Sequence, residues 1–216
     1  MRFLALLAAL ILSPAMVAAS AQGDAAQAQR YRVCLAKAHS TPSKAYEQAL
    51  IWQNEGGGAP ALHCVAMALL GMRAYADGAE KLEALAYSPD ISSAALAKAA
   101  LIQSGEAWLQ AGRPEDALRA FNRALQHDNS NVQALIGHAR TLMALGKPQT
   151  ARGDLDVVLK KQPENVLARR LRAAVRLQMK DFKGAQQDVD AALASEPDNV
   201  ETLVLRGQIR EAMRTQ

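Results

Sequence analysis

Cys34 and Cys64 are the two cysteines of this 216-residue chain, and two of its four histidines, His39 and His63, stand close to them in sequence. Thiolate sulfur and imidazole nitrogen are the usual ligands of tetrahedral zinc, so the four residues raise a Cys2His2 site and a thiol- or metal-handling protein. The spacing argues against it. Cys34 and His39 are five residues apart, about 140° around a helix, and His63 and Cys64 are adjacent, so neither pair shares a helix face. In an oxidising compartment an even pair of cysteines points instead to a disulfide between Cys34 and Cys64, with two buried free thiols as the alternative. Closing that loop of about 30 residues would stabilise the fold by roughly 3 to 4 kcal/mol on a chain-entropy estimate, which engineered bridges often undershoot. His127 and His138 fit a helix end and a packed helix face.

Other chemistries find less support. Gly56, Gly57 and Gly58 ahead of Pro60 suggest an anion cradle at a helix start, but no strand precedes them and no Lys-Ser/Thr follows, so they are expected to be a connector. H-E-x-x-H, G-x-S-x-G and C-x-x-C are all absent from the sequence, and the carboxylates are scattered. No enzyme, cofactor or resident metal is expected. The densest basic run is Arg169, Arg170, Arg172 and Arg176 within a formal net charge of +4. That is no extended basic stripe, and nucleic acid is not an expected partner.

The elements that must hold these residues begin with an export signal. Arg2 precedes an uninterrupted apolar run at 3–12, Pro14 ends it, and Ala18, Ala19, Ser20 and Ala21 follow. This is the pattern of a secretory leader at 1–21, cleaved after Ala21 or after Ala19. An uncleaved anchor is the alternative, because residues 3–19 approach spanning length. Cleavage removes Arg2 and no acidic residue, taking the net charge from +4 to +3. The mature chain is then expected to be periplasmic or secreted, without stable membrane insertion. Half of the residues are hydrophobic and only 4% aromatic, a balance that suits closely packed helices better than strands.

A fixed period organises the rest. Asn131-Val132, Asn165-Val166 and Asn199-Val200 recur every 34 residues, and Ala117, Ala151 and Ala185 keep the same step, as do Gly112 with Gly146 and Pro114 with Pro148. Self-similarity of this kind marks a stack of helix-turn-helix units. Three regular units are expected over 98–199, two looser ones within 22–97, and a closing helix over 200–216 with Glu201, Arg206, Arg210, Glu211 and Arg214 on its outer side. Helices are expected at about 24–39, 42–54, 61–73 and 75–86. A five-residue excess at 93–97 should lengthen the next helix at its N-terminus.

Leu101, Gly105, Trp108, Ala117, Phe121 and Ala124 on this period resemble the tetratricopeptide repeat, strongly from Lys98 onward and weakly before it. Asn129 stands where the family usually has Pro, and Arg169 where it has an apolar packing residue. Arg172 and Arg206 fall at a position where the family tolerates Arg. The resemblance implies an all-α, right-handed solenoid whose first helices line a concave groove for a peptide or helix of a partner protein. That groove stripe would comprise Ile102, Glu106 and Leu109; Ile136, Arg140 and Met143; Leu167, Arg170, Ala174 and Leu177; and Val204 and Gln208. Arg140 and Arg170 within it suggest an amphipathic ligand carrying a carboxylate, unless the apolar members pack on neighbouring helices and the arginines are solvated. The implied role is that of an interaction scaffold or assembly adaptor of a bacterial cell envelope.

Overall fold

The computed structural model describes residues 14–215 apart from residue 92, with side-chain burial described from residue 25 onward. The first thirteen positions of the expected leader lie outside the described residues. Among the described residues there are eleven α-helices and no strand: α1 (Pro14–Ser40), α2 (Pro42–Asn54), α3 (Gly58–Gly71), α4 (Tyr75–Ala86), α5 (Ala94–Gln110), α6 (Pro114–His127), α7 (Val132–Ala144), α8 (Pro148–Lys161), α9 (Val166–Gln178), α10 (Phe182–Ser195) and α11 (Val200–Arg214). Helix α1 starts some ten residues before the start expected near residue 24. Pro14 suits a first helical turn, and the alanines after it are the strongest helix formers.

Each helix packs on the next, and first helices also touch the first helix of the neighbouring pair at α1–α3, α5–α7, α7–α9 and α9–α11. The result is a right-handed solenoid of antiparallel helix pairs closed by α11. Helix α5 runs for 17 residues where α7 and α9 have 13, and Ser93 begins it by accepting the Leu96 amide on its hydroxyl at 3.2 Å.

In the regular part the Asn of each Asn-Val dipeptide is the N-cap of the following helix. Asn131, Asn165 and Asn199 accept from the amides of Ala134, Ala168 and Thr202 at 3.0, 2.9 and 3.0 Å, satisfying donors that a helix start leaves open. The turns inside the pairs need a left-handed residue. Gly112 and Gly146 supply it at φ of 69° and 68°, whereas Arg73 and Lys180 occupy the corresponding turns at 61°. An L-residue does so at a cost of about 1 kcal/mol or more.

Phe121 shows how the small and large positions interlock. It is fully buried, and a Cβ added at Gly105 would stand only 2.7 Å from its ring, with Gly137 of α7 tighter still against the same ring. The ring thus fills the space between α5 and α7 that two glycines leave. Ala79, Ala117 and Ala120 are wholly buried in the same cluster.

Candidate partner-binding groove

On the side where first helices face one another, α3, α5, α7 and α9 border an open cleft of about 560 Å³. Five residues of the expected stripe meet there: Ile102 and Glu106 of α5, Ile136 and Arg140 of α7, and Leu167 of α9. Successive first helices are turned by the superhelix so that residues 34 apart come side by side. Leu167 is 40% exposed although fully apolar.

The other seven lie elsewhere. Leu109 packs beside the Trp108 and Phe121 cluster, Met143 against the core between α7 and α9, and Ala174 and Leu177 against the core under α10 and α11. Val204 and Gln208 are exposed on α11, outside the cleft. Arg170 is half-buried and held by Glu201 at 3.1 Å and by Asn199 Oδ1 at 3.4 Å.

Arg140 is likewise occupied: its Nη1 donates to Glu106 Oε2 at 2.7 Å. Neither Arg140 nor Arg170, which from the sequence suggest a ligand carboxylate, stands unpaired. Each already has a carboxylate from a neighbouring first helix. Four polar residues of the cleft were missed by sequence reading: Tyr75, Gln103, Gln110 and Gln133.

A second cleft, of about 450 Å³, opens where α1, α3 and α5 meet, with Leu85, Ile91 and Leu96 on its apolar side. Its polar side carries Asp90 and a chain of three residues. The Tyr31 hydroxyl lies 2.5 Å from His63 Nδ1, and His63 Nε2 lies 2.9 Å from Gln103 Oε1. With Nε2 carrying the proton, Tyr31 donates to the ring and the ring donates to the amide oxygen. Burial pushes the His63 pKa down, the Gln103 contact opposing it in part, and burial pushes the Tyr31 hydroxyl up. Both effects favour the neutral pair.

Cys34 and Cys64 are paired between α1 and α3, both buried, with Cα atoms 6.1 Å apart. His63 is taken up by Tyr31 and Gln103, and His39 is exposed. Among the described residues no cluster of three or more His, Cys, Asp or Glu side chains is placed to hold a metal ion. The four residues that raised the zinc reading are not assembled as a ligand set.

Two profiles of the tetratricopeptide repeat match the chain, over residues 66–132 and 109–175, together about half of it. The chain is a tetratricopeptide-repeat protein. Its fold is similar to that of YrrB, described as a tetratricopeptide-repeat protein with an unusual peptide-binding site, at 15% identity and a TM-score of 0.64 over 78% of this chain and 84% of that one. A mutant of MamA superposes with a TM-score of 0.54 at 16% identity, covering 88% and 90% of the two chains. The second repeat domain of human RPAP3, solved with an HSP70 peptide, gives 0.52 at 19% identity over 55% of this chain and 98% of that domain. No curated protein matches.

Arginines of the α9–α10 pair serve the stack. Arg172 forms two bonds with Asp188, Nε to Oδ2 at 2.9 Å and Nη2 to Oδ1 at 2.6 Å, and reaches Asp156 of α8 at 2.8 Å. Arg176 adds a third bond to Asp188 at 2.9 Å. The Asp188 hydrogen bonds raise the Arg172 pKa further, so the guanidinium stays charged and ties α8, α9 and α10 together. Arg169, in place of an apolar packing residue, is satisfied by the Ala191 carbonyl at 2.9 Å and by Glu164 at 3.3 Å. Among the described residues no helix is long and apolar enough to cross a membrane.

Proposed function

We propose that this tetratricopeptide-repeat protein is an exported interaction scaffold of a bacterial cell envelope, and that it holds a segment of a partner protein in the cleft bordered by α3, α5, α7 and α9. The observation that carries this reading is the meeting of Ile102, Glu106, Ile136, Arg140 and Leu167, from three successive first helices, on one open surface. Apolar side chains held in a concave, partly exposed strip offer a partner the burial that drives association. The peptide-bound state of the human RPAP3 domain is a further support. The site uses no chemistry of its own.

The leader at 1–21 and a Cys34–Cys64 disulfide belong to the same reading, since an exported chain meets an oxidising compartment. The Cα separation of the pair falls within the usual disulfide range. Two experiments test the two halves of the proposal. Expression of the full chain in a bacterium, followed by N-terminal sequencing of the mature form, should return Ser20 or Gln22; retention of residues 1–21 would contradict export by cleavage. For the groove, Ile102→Glu and Ile136→Glu each place an unpaired carboxylate on the apolar strip. Partner recovered by affinity capture should fall at least about tenfold while the helical circular-dichroism signal stays unchanged. Undiminished recovery from a folded variant would show that partners bind elsewhere.

A further inference from the structure

One polar link between a first helix and its own second helix recurs along the stack. In the α7–α8 pair His138 Nδ1 meets Asp154 Oδ2 at 2.7 Å. One period later, in α9–α10, Arg172 binds Asp188 through bonds of 2.9 and 2.6 Å, and Arg176 adds another at 2.9 Å. Asp188 is buried, so its charge depends on these two guanidiniums. Beside them Ala173 is fully buried, in one cluster with Ala185 and Val189 of α10.

Helix α11 carries the same set again. Arg206 and Arg210 stand 34 residues after Arg172 and Arg176, and Gly207 stands 34 after Ala173. Among the described residues no helix lies on α11 as α10 lies on α9. Arg210 is exposed and Arg206 half-exposed, and the Glu211 carboxylate beside them bonds Arg214 instead. Gly207 is exposed, and a Cβ added there would meet nothing within 4 Å. A glycine inside an exposed helix weakens it by about 1 kcal/mol relative to Ala. At the same repeat position in α5, Gly105 makes room for the Phe121 ring of the second helix. Leu203, Gly207 and Arg210 follow at steps of four and three, so they share one face.

We infer that α11 takes an amphipathic helix of a partner protein where a second helix would lie. That helix packs on Leu203 and Gly207, and one of its carboxylates is held by Arg206 and Arg210. Helix α10 shows the pattern required: Ala185, Asp188, Val189 and Ala192 are buried together on one side. A neutral or basic helix would cover two guanidiniums without bringing a countercharge, which disfavours it. A second copy of α11 is disfavoured too. Arg206, Arg210 and Arg214 lie at steps of four on one edge, and an antiparallel two-fold pair would set that edge against itself. The surface is at the end of the stack, outside the cleft bordered by α3, α5, α7 and α9, and the inference does not rest on the groove being occupied.

Calorimetric titration of the chain purified after export, with a helical peptide, tests it. The peptide has the sequence of residues 180–195, with Gln187→Glu joined to Lys183 by a lactam on the exposed side, because so short a helix is marginal in water. It should bind, and its Asp188→Asn form should bind at least about tenfold more weakly. Gly207→Leu fills the space beside Leu203 and favours the helix, so it should abolish binding with the circular-dichroism signal kept. Arg206→Gln/Arg210→Gln should weaken binding and remove the difference between the two peptides, and Ile136→Glu should change nothing. No binding by the peptide, equal binding of its Asn form, undiminished binding to Gly207→Leu, or a preference that persists in the double Gln variant would each overturn the assignment while leaving the groove reading intact. Loss of binding in Ile136→Glu would place the peptide in the cleft and overturn it as well. A dimer of the chain alone that Gly207→Leu dissociates would give the face to a second copy, with the same consequence.

Discussion

The helix pairs α1–α4 and the helices α5–α11 reach the same packing by different means. From α5 onward the joints are made by repetition: a capping Ser or Asn begins each first helix, Gly112 and Gly146 turn inside the pairs, and alanines line the crossings. In α1–α4 the buried alanines persist, at 45, 49, 61, 66 and 68, but the first helix α3 begins without a side-chain cap, and the Cys34–Cys64 pair and the Tyr31–His63–Gln103 chain connect the layers. A stack can thus lose local signals from one end, provided that contacts distant in sequence replace them. The cleft proposed for the partner lies on the joint between the two regions, bordered by α3 on one side and by α5, α7 and α9 on the other.

This contrast can be attacked first where the regular part is tightest. Phe121→Ala removes the ring between Gly105 and Gly137 and should cost about 4 kcal/mol in urea unfolding, with α5, α6 and α7 losing hydrogen-exchange protection together. A small loss would mean that the glycines do not define that joint. In the other region, Cys34→Ala/Cys64→Ala should lower the stability of α1–α4 by about 3 kcal/mol, and reductant should do the same to the unsubstituted chain while barely changing exchange in α8–α10. Uniform loss along the chain would erase the distinction between the regions. Asn131→Ala should cost about 1 kcal/mol by removing the cap of α7. Lys180→Gly should instead stabilise by about 0.5 kcal/mol, because it relieves the left-handed backbone at the expense of a freer unfolded chain; destabilisation would mean that the Lys180 side chain matters more than its φ.

A pH effect separates the regions most finely. Because burial lowers the folded pKa of His63, the unfolded chain takes up its proton first, so the contribution of this residue to stability is present above about pH 6.5 and fades as pH falls toward the lower folded value. His63→Gln should flatten that acid limb in thermal melts between pH 7 and 5. An unchanged limb would place its origin in other groups.

Much of the scaffold is legible in the residues themselves. The 34-residue step locates the joints because every unit must meet its neighbour in the same way, and the excess at 93–97 foretells a longer α5. Glu106 and Arg140 were within reach too. They occupy the same position in successive units with opposite charges, so periodicity alone brings them together. Arg172 is harder to read, since its partners Asp156 and Asp188 lie on two different second helices. Gln103, Gln110 and Gln133 share no repeat position. That they line one cleft is a property of the packed helices and not of the period.

The central claim is that the cleft between α3 and α9 is where this chain meets its partner. A photoreactive residue placed at Gln133, inside the cleft, and separately at the exposed Lys160 on α8, tests it in cells that export the protein. Irradiation should give a cross-linked product from position 133 that disappears when Ile136→Glu is added, and none above background from position 160. Equal products from the two positions, or a product at 133 that survives Ile136→Glu, would contradict it.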